Sequence, residues 1–221
     1  VQPFNCDLCS DTGMEIADGG ARFCKCRVAR IRSQRLAKIP PQFGQYKLSL
    51  LEPDTRIHPM QAEVVPFVKA NPENSYLLAG RFGCGKSLLM WLLYRNAVKQ
   101  TPRKVVVCTL AELLQEFRAF IQSAVNHDTP TMPRLCAAEL RQTETPYSIF
   151  LDDIDKARPT EYAAEQLFEI INAIYEYKHQ LVVTTNLRVS ELGDHFDRAD
   201  ERFGGAILRR LVDNAKVYEM F

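Results

Sequence analysis

No run of eighteen apolar residues occurs anywhere in this sequence, so no segment is long enough to cross a bilayer as a single helix. The opening residues, VQPFNCDLCS, carry neither the basic n-region nor the apolar h-region of a secretory leader. Both absences lead to the expectation of a cytoplasmic protein without a membrane partner. Acidic residues are missing between Asp18 and Glu52, while Arg22, Lys25, Arg27, Arg30, Arg32, Arg35, Lys38 and Lys47 all fall inside that interval. The whole-chain balance of 28 basic against 27 acidic residues hides this block. It reads either as a surface that attracts phosphate backbones or as a solvated basic helix balanced by acids elsewhere. Internal repeats and low-complexity tracts are absent as well. A chain of 221 residues with 46% hydrophobic and 25% charged content has room for one full-sized domain and a small attachment.

Cysteine is what the amino-terminal segment has in excess. Cys6 and Cys9 form C-x2-C, fourteen residues follow, and Cys24 and Cys26 form C-x-C. A one-residue spacer strains a disulfide, whereas two close thiol pairs in a reducing compartment suit a tetrahedral four-cysteine zinc site. The metal would then replace the core that so short a segment cannot build. Asp11 to Gly13 and Asp18 to Gly20 supply turns between the pairs. Unliganded thiols are the alternative. None of His58, His127, His179 and His195 lies in this window, so nitrogen ligation is not expected there. Cys108 reads as a small core residue, and Cys84 and Cys136 as unrelated to metal.

The strongest motif is GRFGCGKS, Gly80 to Ser87, which matches GxxxxGK[ST]. It follows an apolar strand at Tyr76, Leu77 and Leu78, and precedes a helical pattern at Leu88, Leu89, Leu92 and Leu93. That context is the one a phosphate loop needs, since backbone N–H groups of Gly80, Arg81, Phe82, Gly83, Cys84 and Gly85 can close around an anion at a helix N-terminus. Lys86 is expected to reach the β- and γ-phosphates of ATP or ADP, and Ser87 to bind Mg2+. In YSIFLDDIDK a strand ends in paired carboxylates, with Asp152 placed to hold the magnesium ion and Asp153 to polarise a water. In QLVVTTNL another strand ends near Asn186, an amide able to help position that water.

Further strands and helices alternate with these. A strand is expected at Lys104 to Leu110, and helices at Ala111 to Ala124 and Thr160 to Tyr177. In the second helix Ala163, Leu167, Ile170, Ile171 and Ile174 share one face. An insertion with a short helical centre occupies Asn126 to Pro146. The fold class is α/β, a parallel sheet between helices.

IPPQF, GRFGCGKS, LDDID, TEYAAEQLFEIIN, VVTTNL and AILRRL together resemble the helicase-loader and transposition-helper branch of the AAA+ ATPases, the DnaC, DnaI and IstB-like proteins. The resemblance implies a P-loop AAA+ core at 56–221 without a C-terminal lid domain, a zinc-binding segment at 1–27, and a basic helix and linker at 28–55. Zinc-bearing segments ahead of the core also occur among loader-like proteins. The resemblance further implies ATP hydrolysis completed by an arginine from a neighbouring subunit, at Arg210 with Arg209 as the fallback. The insertion would correspond to the extra helix through which initiator-like members stack. Two positions depart from the family pattern: Asp153 replaces the glutamate of most AAA+ enzymes, and Ile174 stands where relatives carry an arginine.

The implied function is loading of a replicative hexameric helicase, with single-stranded DNA and further copies of the chain as partners. A transposition helper acting on duplex DNA with a transposase is the alternative, and a small-molecule P-loop kinase is the reading from another class.

Overall fold

A computed structural model describes residues 6–17, 20–100, 104–126, 129, 131–157, 160–198 and 201–221. It divides into two compact units, Val1–Gln45 and Tyr46–Phe221, a boundary that falls within the linker expected at 28–55.

In the first unit the C-x2-C segment turns back on itself, the Cys9 N–H donating to the Cys6 carbonyl at 3.3 Å. Strand β1 (Met14–Ala17) then pairs antiparallel with β2 (Gly20–Phe23). Helix α1 (Lys25–Leu36) follows, with Cys24 as its N-cap. The side chains of β2 are all exposed and α1 buries no residue, whereas Cys9 and Cys24 are buried. Among the described residues of this unit, the buried side chains are thiols and not aliphatic ones. The basic helix begins at Lys25, so Cys26 lies in its first turn. Of the expected turn at Asp18 to Gly20, residues 18 and 19 lie outside the described residues.

The second unit begins with α2 (Gln61–Ala70). It continues with β3 (Tyr76–Gly80), α3 (Lys86–Lys99), β4 (Lys104–Thr109), α4 (Leu110–Val125), α5 (Ala137–Gln142) and β5 (Tyr147–Asp152). It closes with α6 (Glu161–Glu176), β6 (Gln180–Thr185), α7 (Val189–Asp197), α8 (Gly204–Asn214) and β7 (Lys216–Met220). The sheet runs β4-β5-β6-β3-β7, and every pairing is parallel. Strands β3 and β6 are buried along their whole length, as near-continuous apolar strands covered on both faces should be. Side chains alternate across the sheet. Phe150 meets Tyr94 of α3 edge to face at 5.5 Å, while Ile149 and Leu151 pack with Leu167, Ile170 and Ile174 of α6 on the opposite side. The side chain of Ala163, expected on the same α6 face, lies outside the described residues.

Strand β7 had no counterpart in the expected order. KVYEM is an edge strand in which only Tyr218 and Met220 are buried, a weaker signal than the apolar runs beside it. The insertion forms α5, whose Leu140 is fully buried and whose Arg141 bridges to Glu169 of α6 at 2.6 Å. Residues 127, 128 and 130 of the insertion lie outside the described residues. Strands β5, β6 and β3 are adjacent and parallel, which brings the polar residues that follow them to one edge of the sheet, where α/β folds bind ligands. No helix among the described residues is long and apolar enough to cross a membrane.

Candidate nucleotide site and cysteine cluster

The phosphate loop is fixed by close backbone contacts. A Cβ at Gly80 would sit 2.3 Å from the Met220 carbonyl oxygen, so only glycine lets β3 and β7 approach here. The next residue uses that approach, its Arg81 N–H donating to the same oxygen at 2.9 Å. Gly85 caps α3 at φ +101°, a left-handed conformation that glycine adopts without strain. Lys86, only 6% exposed, donates to the carbonyls of Gly80 at 2.7 Å and Arg81 at 2.9 Å and to Asn186 Oδ1 at 3.2 Å. Phe82 projects from the loop, 78% exposed.

Two residues upstream of the loop were not singled out from the sequence. Gln61 lies on the buried stripe of α2 with Val64, Val65 and Val68. Its Nε2 donates to the Cys84 carbonyl at 3.0 Å, and its Oε1 accepts from the Asp54 N–H at 3.0 Å. A polar residue in register with three valines was the available signal. His58 Nδ1 accepts from the Met60 N–H, which leaves Nε2 as the protonated nitrogen facing the Phe221 carbonyl at 3.2 Å.

The acids of LDDID gather at the ends of β5 and β6. Asp152 Oδ1 accepts from Thr184 Oγ1 at 2.5 Å and Ser87 Oγ at 3.4 Å. Burial, with the neighbouring charge of Asp153 adding to it, holds the Asp152 carboxyl above the usual range, and a divalent cation there would reverse that balance. Asp153 is left-handed, φ 51°, with its N–H on Thr184 Oγ1 at 2.9 Å. Its Oδ2 pairs with Lys156 Nζ at 2.5 Å and its Oδ1 accepts from Asn186 Nδ2 at 3.3 Å. Asp155, also not singled out, accepts from the Asn186 N–H at 2.9 Å and from Asn186 Nδ2 at 3.3 Å. Burial opposes its ionisation, yet the hydrogen bonds from Asn186 and Thr185 hold it below the ordinary carboxylate range.

Lys86, Ser87, Asp152, Asp153 and Asn186 are therefore brought into one hydrogen-bonded cluster, joined through Thr184, whose groups could hold Mg2+ and a triphosphate. Arg210 makes its contacts elsewhere. Its Nε donates to Asn172 Oδ1 at 3.0 Å and its guanidinium lies 4.8 Å from the centre of the Tyr175 ring. Arg209 is exposed beside it, and both line a cavity of about 330 Å³ with Phe168, Gly205 and Ala206.

In the first unit the sulfurs of Cys6, Cys9, Cys24 and Cys26 all lie within 4.8 Å of one another. The Cys6–Cys24 and Cys9–Cys26 pairs are 3.8 and 3.4 Å apart. With metal–sulfur bonds of about 2.3 Å, tetrahedral sulfurs stand about 3.8 Å apart, so the four thiols could hold a metal ion. Burial opposes ionisation of Cys9, but hydrogen bonds led by that from Cys26 bring it down to about 7. Burial and hydrogen bonding within the cluster push Cys26 up to about 12.

Comparison with known proteins agrees with this fold. The crystal structure of DnaI superposes with a TM-score of 0.62 at 15% identity, covering 83% of this chain and 95% of that one. The DnaC helicase loader gives 0.60 at 14% identity, covering 82% and 100%. A replication initiator DnaA bound to AMPPCP and single-stranded DNA gives 0.55 at 17% identity, covering 83% and 51%. These likenesses establish the fold, that of the AAA+ ATPases. In sequence, the chromosomal replication initiator protein DnaA of Borrelia garinii subsp. bavariensis is 29% identical over 140 residues, 62% of this chain but 27% of that protein. The chain thus spans about a quarter of the curated relatives it matches. Residues 58–209, well over half of the sequence and including every member of the hydrogen-bonded cluster, match the Bacterial DnaA ATPase domain, and the chain belongs to that family.

Proposed function

We propose that this chain is an ATP-hydrolysing loader of a replicative hexameric helicase, assembling through subunit interfaces bridged by ATP and contacting single-stranded DNA. The observation that carries the ATPase part is the convergence of Lys86, Ser87, Asp152, Asp153 and Asn186 behind three adjacent parallel strands. Lys86 binds the β- and γ-phosphates, Ser87 and Asp152 hold Mg2+, and Asp153 with Asn186 orients the attacking water. The metal there would supply positive charge to offset that of the phosphates. Loading is supported by the likeness of fold to DnaI and to the DnaC helicase loader. Arg210 serves the site of a neighbouring copy. The domains on this reading are a zinc segment at 1–27, a basic helix and linker at 28–55, and the ATPase at 56–221. Zinc in the cysteine cluster organises the first of these, and the arginines of α1 offer a surface to nucleic acid.

The test is titration with a fluorescent ATP analogue, paired with a hydrolysis assay and co-purification with a hexameric helicase. Lys86→Ala is expected to lose tight binding, and Asp153→Asn to bind and not hydrolyse. Equal affinity in Lys86→Ala and the parent sinks the nucleotide assignment. Retention of a transposase on duplex DNA in place of a helicase turns the reading to a transposition helper.

A further inference from the structure

Asn186 is held at both ends by groups that leave its amide no choice of orientation. Its Oδ1 faces the Lys86 ammonium, which only donates, and its Nδ2 faces Asp153 and Asp155, whose carboxylates only accept. A flipped amide would set its N–H groups against an ammonium and its oxygen against two carboxylates. Asp155 contributes more than Asp153, because its second oxygen also takes the main-chain N–H of Asn186 at 2.9 Å. The placement of Asp155 is itself fixed. It sits in a 3-10 turn, Ile154–Lys156, anchored by the fully buried Ile154. The left-handed backbone of Asp153 swings this turn toward the end of β6.

We propose that Asp155 is the positioning residue for Asn186, fixing the orientation of its amide so that Nδ2 faces Asp153, where the attacking water is polarised. This rests on the ATPase reading, and it adds a third acid with a role distinct from metal binding and from water activation. Asp155 reaches the water only through Asn186, whose main-chain N–H and side-chain amide it holds together, while the Thr185 hydroxyl steadies its carboxylate.

The experiment uses the full chain with 15N-labelled asparagine. The Asn186 side-chain amide pair is identified by its loss in Asn186→Ala. Asp155→Asn keeps the volume and one acceptor for the Asn186 main-chain N–H, but sets an amide in the carboxylate's place. The Asn186 pair is expected to move toward the position of a solvent-exposed amide, and Asp155→Glu, with both acceptors kept, to hold it near the parental one. In hydrolysis Asp155→Asn is expected to lower kcat about 10- to 100-fold, the scale of a misplaced reacting group. KM for ATP should change by less than about threefold, since phosphate binding belongs to other residues. Adding Asp155→Asn to Asn186→Ala should cost nothing further, whereas a merely structural role would add its loss to the first. A parental kcat in Asp155→Asn, additive losses in the double variant, or an unmoved amide resonance overturns the proposal. A parent without hydrolysis rejects the ATPase reading instead, and the resonance still decides the role of Asp155.

Discussion

Gln61 gives the sharpest prediction outside the motif residues. Replacing it by leucine keeps the bulk on the α2 stripe and removes two hydrogen bonds to main-chain groups, the Cys84 carbonyl and the Asp54 N–H. The first bond is buried and the second half-buried. At about 1 kcal/mol or somewhat more for each backbone group left without its partner, the loss is about 2–3 kcal/mol. For a domain of this size each kcal/mol moves Tm by about 2–4 °C, so Gln61→Leu should melt about 4–12 °C lower. The Cys84 bond restrains the phosphate loop itself, so about 1 kcal/mol of the loss reaches the binding conformation. Nucleotide affinity should then fall about fivefold. Gln61→Glu separates the two contacts: its carboxylate still accepts from Asp54 but turns an oxygen toward the Cys84 carbonyl. A buried carboxylate set against a carbonyl oxygen adds its own cost, so that variant should melt no higher than Gln61→Leu and lose at least as much affinity. Thermal melts and titration with a fluorescent ATP analogue measure both quantities. Parental Tm and parental affinity in Gln61→Leu would refute the reasoning that this side chain ties down the loop.

Metal analysis of the purified chain should give about one zinc, lost in Cys24→Ser together with amide protection in β1, β2 and α1; a metal-free preparation that keeps that protection rejects the zinc site. Arg210→Ala should bind ATP like the parent and fail to hydrolyse it, and mixing it with Asp153→Asn should restore part of the activity, because each variant supplies what the other lacks. No recovery in the mixture, with both variants binding ATP, rejects a shared site. Lys156→Met frees one oxygen of Asp153 from an exposed ion pair worth about 0.2–1 kcal/mol, and should raise the basal single-turnover rate by no more than about fivefold. A lower rate in that variant would show that Lys156 assists the reaction.

The parts of the site that sequence revealed are those where a strand ends in an unusual polar group. Gly80 to Ser87, Asp152, Asp153 and Asn186 each follow an apolar run, and the topology sets those runs side by side. Gln61 and Asp155 were harder to see, because each works through a backbone group distant in sequence: Cys84 for the first, Asn186 for the second. Strand β7 escaped notice for a related reason. Its place is set by the missing side chain of Gly80, a feature of its partner and not of KVYEM itself. The contact of Arg210 with Asn172 and Tyr175 needed the spatial meeting of α6 and α8, which helical periodicity alone does not give.

The seat of the phosphate loop against β7 bears on how the chain acquires its activity during synthesis. Gly80 and Arg81 lean on the Met220 carbonyl, and the His58 ring reaches the Phe221 carbonyl across 163 residues of sequence. Contacts of such separation form late, after the local helices and the neighbouring strand pairs. A nascent chain still holding Lys216 to Phe221 inside the ribosomal tunnel would carry every residue of the phosphate motif and yet lack the wall that shapes it, so nucleotide should begin to bind only once this strand has emerged and docked.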